Sequence, residues 1–139
     1  MGFSSTHLYF DDLEVGQEWV SGGRTVTESD IVTFAGFSGD FNPIHLDPEF
    51  ARAAGFGGNI LHGMCTMAFA TEAVQAYLED PSRLRAIKVR FSRPVAIGET
   101  LTFTVTVTRV EAGRVFGEVA ALDSKGQEVL KGGAFEAEA

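Results

Sequence analysis

The chain has 139 residues, of which 45% are hydrophobic and 22% are charged, and its formal net charge is −8. These values predict one globular domain, residues 1–139, with a buried core. The negative charge argues against a nucleic-acid partner, because phosphate contacts need a basic surface. No apolar run approaches the roughly 20 residues that span a bilayer, so we expect no membrane-spanning helix.

The N-terminus and the cysteine content indicate a compartment. Residues 1–5, MGFSS, lack the basic and apolar regions of a signal peptide. Cys65 is the only cysteine, so no disulfide bond can form within the chain. We therefore expect a reducing, cytoplasmic location.

The first predicted elements are a strand and a helix. The sequence from Glu18 to Thr27 predicts a strand. Thr27 and the acidic residues after it are typical of a helix N-terminus, because the threonine can cap free N–H groups and the acids favour the helix dipole. The helix should run from about Glu28 to Phe37 and end at the glycines Gly36 and Gly39, with Ile31, Phe34 and Ala35 facing the core.

The run SGDFNPIH, residues 38–45, contains the main candidates for chemistry. Asp40 and His45 lie five residues apart, and the glycine, asparagine and proline around them favour a turn rather than a helix or a strand. A carboxylate and an imidazole on one bent loop can bind a water and move its protons, as the addition of water to a double bond requires. The same residues could instead only close the turn, with His45 as a half-buried structural histidine.

A short helix, a glycine-rich loop and a long helix are predicted next. Asp47 and Pro48 are typical of a helix start, and this helix should end near Ala53. Residues 55–59, GFGGN, predict a loop. From His62 to about Leu78, apolar residues recur at helical spacing on most sides, which predicts a buried helix that ends at Asp80 and Pro81.

The remaining chain predicts antiparallel strands. Apolar and polar residues alternate over residues 87–91 and 101–108, and further strands fit residues 114–122 and 128–138. The order of strand, helices, one buried helix and about four strands predicts an α+β domain in which one sheet wraps the helix.

Two stretches resemble a known family. The run SGDFNPIHLDPEFA, residues 38–51, resembles the signature of the MaoC-like hydratases, also called the (R)-specific enoyl-CoA hydratase group. The run LHGM, residues 61–64, is similar to the stretch that opens the central helix in that family. The resemblance implies the hotdog fold, a curved antiparallel sheet around one long helix. It also implies a hydro-lyase that adds water to trans-2-enoyl-CoA, or removes it from (3R)-3-hydroxyacyl-CoA.

The resemblance also implies roles for single residues. Asp40 and His45 would hold the reacting water and move its protons, and the backbone N–H of Gly63 would act as an oxyanion-hole donor for the enolate. A glycine at the start of a helix suits this role, because its N–H is free and substrate can approach closely. Alternatively, Gly63 only lets the helix and the sheet pack tightly, and the two interpretations are compatible.

Further residues are expected to support the site. Asn42 would orient the loop by bonding to the backbone near Asp40, and Pro43 would fix the shape of the loop. His62 would cap the long helix or buttress the site. The Thr71 hydroxyl could touch the catalytic aspartate or only bond to its own helix.

Apolar residues near the two stretches could contact an acyl chain. Met64, in the second stretch, is expected to support or contact substrate. The candidates for an acyl pocket could equally be ordinary core residues; they are Phe34, Phe37, Phe41, Phe56 and Met67.

Five of the eleven basic residues lie in one short window, which we call the basic window: Arg83, Arg85, Lys88, Arg90 and Arg93. It could be a solvated strand face. Alternatively, Arg85, Lys88 and Arg90 could meet the phosphates of coenzyme A.

The expected ligand is an acyl-CoA thioester, since the acidic chain disfavours acyl carrier protein, itself acidic. The family resemblance implies a homodimer with its site near the interface. No metal or cofactor is expected. A thioesterase and a non-catalytic acyl-CoA-binding subunit are the alternative functions, because the hotdog fold serves several roles.

Overall fold

The computed structural model describes residues 13–138. The first region of this part of the chain contains strands β1 (Glu18–Val20) and β2 (Arg24–Thr25) and helix α1 (Glu28–Ser38). Three helices follow: α2 (Pro43–Leu46), α3 (Pro48–Ala53) and α4 (Gly63–Leu78). A 3-10 turn (Pro81–Arg83) then leads to the strands β3 (Leu84–Phe91), β4 (Thr100–Glu111), β5 (Arg114–Leu122) and β6 (Glu128–Glu138).

The strands form a curved antiparallel sheet of six, in which β1, β4, β5, β6 and β3 are neighbours in that order. Strand β2 pairs with β4 beyond β1, since Arg24 lies opposite Leu101 while Glu18 lies opposite Thr106. Each of β3 to β6 contains the strand predicted from its alternating pattern. The predicted α+β class and hotdog arrangement are therefore confirmed, with the sheet packed around α4.

The first predicted strand is wrong in one respect, since the structure divides it into β1 and β2. Gly22 and Gly23 lie at the break, where glycine weakens a strand because it adds backbone freedom and no side chain to pack. Ser21 keeps the chain against β4 across the break. Its N–H donates to the Phe103 carbonyl at 2.8 Å, and its hydroxyl oxygen accepts the Phe103 N–H at 2.9 Å.

Helix α1 begins at the predicted residue and ends one residue beyond the predicted Phe37, with Gly36 inside the helix and Gly39 at its end. Thr27 and Asp30 form a capping box, in which each side chain accepts the backbone N–H of the other residue. At the other end, Gly39 adopts a φ of 78°, a left-handed conformation that glycine reaches at little cost. This glycine turns the chain directly into the segment that contains Asp40 and His45.

The core lies between one face of α4 and the inner face of the sheet. Along β4, every second residue from Leu101 to Val107 is buried and the threonines between them are partly exposed. Burying each large apolar side chain of this kind contributes roughly 1.5–3 kcal/mol. The opposite face of α4 is open at Met64, Ala68 and Ala76. The prediction of a helix buried on most sides is therefore wrong, because the described sheet covers one face only.

None of the helices formed by residues 13–138 combines the length and the apolar character needed to cross a bilayer.

Candidate active site

Residues Ser38 to Ile44 fold through a ladder of short side-chain-to-backbone hydrogen bonds. The Ser38 hydroxyl oxygen accepts the N–H of Asp40, and the Asp40 carboxylate accepts the N–H of Asn42. The Asn42 side-chain oxygen then accepts the N–H of Ile44. Each of these bonds spans two residues and measures 3.1 Å. This is the local pattern by which such side chains bend a chain without a strand or a long helix.

The structure corrects two expectations for this segment. Its second half is one helical turn, α2, rather than a loop, because Asn42 caps it and Pro43 occupies its first position, where a missing N–H costs nothing. The Asn42 side chain bonds forward to Ile44 and not to the backbone near Asp40. Pro43 therefore does fix the shape of the segment, but as the start of a helical turn.

The predicted pair, Asp40 and His45, comes together. The Asp40 Oδ2 atom and the His45 Nε2 atom lie 3.8 Å apart. The His45 side chain is 8% exposed, whereas the Asp40 side chain is 51% exposed. At this separation a single water can lie at hydrogen-bond distance, about 2.8 Å, from both atoms. The pair is therefore open to solvent on the side of the Asp40 carboxylate.

The hydrogen bond on the far side of the His45 ring assigns its proton. His45 Nδ1 lies 2.8 Å from the carbonyl oxygen of Ile60. A carbonyl oxygen can only accept, so Nδ1 carries the hydrogen and Nε2 of the neutral ring is bare. The bare nitrogen is the one that faces Asp40. The neutral His45 can therefore accept a proton on the side where a water would lie.

A second segment, Asn59–Gly63, holds the first one in place. The Asn59 side chain donates to the Ile44 carbonyl at 3.0 Å, and the Ile60 N–H donates to the same oxygen at 3.3 Å. With the His45 bond, three hydrogen bonds join the two segments between residues about 15 apart in the chain. The sequence prediction missed Asn59 and Ile60. The only available signal was an asparagine in a glycine-rich loop, which equally indicates a turn.

His62 buttresses the pair and does not cap α4 with its side chain. It occupies the cap position without a side-chain capping bond. Its Nε2 atom lies 3.0 Å from the backbone oxygen of Asp40. Its ring stacks on His45, with centroids 3.8 Å apart and planes 23° apart, and Phe34 packs against it at 4.9 Å. Of the two roles predicted for His62, the structure favours the buttress.

Gly63 begins α4 and lines a groove of about 350 Å³ together with Leu61, Phe91 and Arg93. Within the described residues, the Gly63 N–H has no acceptor. A Cβ atom at Gly63 would lie 3.3 Å from the Phe91 ring, which is a tight contact. The two interpretations of this glycine, a free donor and a close packing contact, therefore both fit its surroundings.

Three of the expected supporting residues differ in their surroundings. The Thr71 hydroxyl donates to the Met67 carbonyl of its own helix at 2.9 Å, which is the second of the two roles considered for it. Met64 and Phe41 are largely exposed beside the site. Buried Thr66, which the sequence prediction missed, lines the groove with Gly63, and it lies three residues further along α4.

The expected acyl-pocket residues are dispersed. Phe34 and Phe37 line a second groove of about 320 Å³, together with Phe69 of α4. Phe56 and Met67 are half-buried and line neither this groove nor the one at Gly63.

The basic window does not form one cluster. Arg83 pairs with Asp80 at 3.5 Å, and Arg85 pairs with Glu138 at 3.4 Å. Lys88 and Arg90 are exposed on β3, and no carboxylate of residues 13–138 forms an ion pair with either. Arg93 is the member of the basic window that lines the groove with Gly63.

Cys65 does not offer a nucleophile close to the site. Burial, and secondarily the Asp30 carboxylate, raise the pKa of its thiol to about 11. The thiolate is the nucleophilic form of cysteine, and at neutral pH this thiol stays protonated. Covalent thioester chemistry at Cys65 is therefore disfavoured.

Asp40, His45 and His62 each offer one atom within 4.8 Å of the others and form a candidate metal cluster among the described residues. An imidazole binds a metal through a lone pair in the plane of its ring. Two rings stacked face to face cannot both direct such lone pairs at one ion. The arrangement suits a bound water better than a metal ion.

The MaoC like domain family matches residues 13–128 of this chain. The chain belongs to this family. The match includes every residue of the two segments described above. The family assignment made from residues 38–51 and 61–64 is therefore confirmed.

Individual relatives agree with the family. An "(R)-specific enoyl-CoA hydratase" of Rhodospirillum rubrum is 40% identical over 101 residues, which are 72% of this chain and 69% of the relative. A "3-hydroxybutyryl-CoA dehydratase" of Methylorubrum extorquens is 35% identical over 127 residues, 91% of this chain and 80% of the relative. Three further relatives are longer proteins, of which the match spans 9%, 13% and 27%.

A solved structure of a protein named as a hydratase has the same fold. The unliganded structure of R-hydratase PhaJ1 from Pseudomonas aeruginosa superposes with a TM-score of 0.85 and 32% identity, covering 93% of this chain and 83% of that one.

Proposed function

We propose that this chain is a hydro-lyase that interconverts trans-2-enoyl-CoA and (3R)-3-hydroxyacyl-CoA thioesters by adding or removing water. The proposal rests chiefly on the Asp40–His45 pair, whose facing atoms lie 3.8 Å apart with a bare imidazole nitrogen on the inner side. Support comes from the relatives named as an (R)-specific enoyl-CoA hydratase and a 3-hydroxybutyryl-CoA dehydratase.

In this mechanism a water bridges the Asp40 carboxylate and the His45 Nε2 atom. As the water oxygen bonds to the β-carbon of the enoyl thioester, one member of the pair accepts a proton from that water. The π bond between the α- and β-carbons breaks and its electron pair moves toward the thioester carbonyl, forming an enolate. The pair then delivers a proton to the α-carbon, so that one water is added in total and no metal or cofactor takes part.

The enolate places negative charge on the thioester oxygen. We propose that the Gly63 N–H, which has no acceptor among residues 13–138, donates to this oxygen at the start of α4. The positive end of the helix dipole adds to the stabilisation. Donors fixed before the reaction are effective because they need no reorganisation when the charge develops.

The carrier proposed for the acyl group is coenzyme A, and the proposed assembly is a homodimer. Of the three residues expected to meet phosphates, Lys88 and Arg90 form no ion pair within residues 13–138, whereas Arg85 is paired with Glu138. Size-exclusion chromatography with light scattering tests the assembly: a mass of twice the chain is expected, and a monomer contradicts the dimer.

The reaction is tested by mixing purified protein with crotonyl-CoA and following the loss of enoyl-thioester absorbance, with chiral analysis of the product. Rapid loss that yields the (3R)-hydroxy product is the expected result. Release of free coenzyme A would instead indicate the thioesterase. Tight acyl-CoA binding without turnover, across short, long and branched enoyl thioesters, would indicate the non-catalytic subunit.

A further inference from the structure

His62 contacts both members of the catalytic pair. Its Nε2 atom lies 3.0 Å from the Asp40 backbone oxygen, and its ring covers one face of His45 at a centroid distance of 3.8 Å. It is also bonded directly to Gly63, the proposed oxyanion donor. Asp40, His45 and the Gly63 N–H must all act on one substrate, and His62 contacts or adjoins each of them.

The surroundings of His62 exclude a direct part in the reaction. The residue is 2% exposed, so substrate cannot reach its ring. The Asp40 carbonyl can only accept, which assigns the hydrogen to Nε2 and leaves Nδ1 bare. That Nδ1 atom is buried and has no hydrogen-bond partner among the described residues. A buried acceptor without a partner is unfavourable, so nothing about Nδ1 accounts for a histidine at this position.

What accounts for the histidine is the combination of a donor and a flat ring. The Nε2–H group holds the backbone at Asp40, where the chain has just left α1. The ring surface, backed by Phe34 on one side, keeps His45 from rotating away from its bond to Ile60. A phenylalanine would keep the ring without the donor. A glutamine would keep a donor near the Nε2 position without the ring.

We propose that His62 is a positioning residue for the hydratase reaction: it fixes Asp40 through its backbone oxygen and His45 through its ring, at the residue next to Gly63. The proposal rests on the proposed function. It predicts a specific kinetic effect, because a misplaced pair lowers the rate of the chemical step without removing contacts to the substrate.

The kinetic experiment compares His62→Phe and His62→Gln with the unchanged protein in the crotonyl-CoA assay. We expect kcat to fall about 100-fold in His62→Phe, as misplacement by an ångström can cost, with KM changed less than about threefold. His62→Gln should recover to within about tenfold of the unchanged protein, because it still has a donor for the Asp40 oxygen.

Val119→Ala is the matched control for lost stability, since Val119 is a buried β5 residue that lines neither groove described above. Rates are compared per folded molecule, with the folded fraction measured by denaturant unfolding. The proposal is overturned if either His62→Phe or His62→Gln lowers kcat no more than Val119→Ala does, because each variant removes one of the two contacts of His62.

An NMR measurement tests the contacts without any activity. The chain has three histidines, His7, His45 and His62, so long-range proton–nitrogen correlations can be assigned by comparison with the variants. We expect the His62 proton on Nε2 and the His45 proton on Nδ1. A His62 proton on Nδ1 would overturn the proposal. Absence of turnover in the unchanged protein would contradict the proposed function alone, and the NMR result would then decide on the His62 contacts.

Discussion

Two regions of the chain suggest a function from sequence, and the structure organises them in opposite ways. The segment from Asp40 to His45 is held by hydrogen bonds within itself and by further bonds from residues 59–62. The basic window extends along β3, where two of its arginines are already paired with carboxylates. Both regions group their candidate residues in a short stretch of sequence, so closeness in sequence does not distinguish them. What distinguishes the first region is that a distant segment, residues 59–62, holds it by hydrogen bonds.

The largest effect should follow from removing the proton chemistry of the first region. Asp40→Asn and His45→Gln should each lower turnover on the order of 10³-fold, because each removes a group that moves a proton. The fold should be retained, since an amide at position 40 can still accept the Asn42 N–H. The measurement is kcat in the crotonyl-CoA assay, with circular dichroism to check the fold.

His45→Asn is the control for shape. Its amide can occupy the place of Nδ1 and keep the bond to the Ile60 oxygen, yet it cannot act as a base. We expect it to be as inactive as His45→Gln and more stable. Near-normal turnover in any of these variants would remove the proposed mechanism, and with it the contrast between the two regions.

A smaller effect is expected at Gly63, where a donor and a packing contact coincide. Gly63→Ala keeps the N–H but adds a methyl group 3.3 Å from the Phe91 ring and at the entrance to that N–H. We expect kcat/KM to fall about 10- to 100-fold, because the thioester oxygen can no longer approach closely. Steady-state kinetics on crotonyl-CoA measure this effect.

The double variant Gly63→Ala/Phe91→Leu separates the two roles. Phe91 is about half exposed, so its replacement should cost little stability. We expect the double variant to remain impaired, because the methyl group still blocks the N–H. Full recovery would mean that Gly63 only makes room for Phe91, and the oxyanion role would be lost.

The hydrogen bonds between residues 59–60 and residues 44–45 should make a measurable but modest contribution to stability and to kcat. Asn59→Ala removes the donor to the Ile44 carbonyl and should lower the free energy of unfolding by about 1 kcal/mol. It should also lower kcat about threefold, because α2 becomes less firmly held. Thr27→Ala, which removes the α1 cap at a similar cost of about 1 kcal/mol, is the matched control and should leave kcat unchanged. Equal kcat values in the two variants would contradict the importance of these bonds.

Much of the fold and the central pair follow from local patterns. Periodicity predicts α1, α4 and strands β3 to β6, and the turn residues around Asp40 and His45 bring together two side chains only five positions apart. The caps at Thr27 and Asp47 form as expected because a cap is a contact over two or three residues. The turn α2 could have been predicted as well, since Asn42 and Pro43 are a cap and a first helical residue.

The remaining contacts of the site involve partners that no sequence pattern indicates. His45 and Asn59 bond to backbone carbonyls about 15 residues away, and any residue type can supply a carbonyl. The stacking of His62 on His45 likewise depends on how the start of α4 meets α2. For Thr71, the sequence left two roles open, and the structure shows the local bond within its own helix.

The smallest effect is expected in the basic window, and it tests whether that region has any function. Lys88→Glu/Arg90→Glu should raise KM for the CoA thioester about 3- to 10-fold at low salt and leave kcat unchanged, because exposed charges attract phosphates only weakly. The increase should shrink as salt is added, since screening weakens such contacts. Arg85→Glu is the control, and because Arg85 already pairs with Glu138 it should change KM less than twofold. An unchanged KM in the double variant would leave the basic window as a solvated strand face, and every functional contact would then lie with the region that two segments build together.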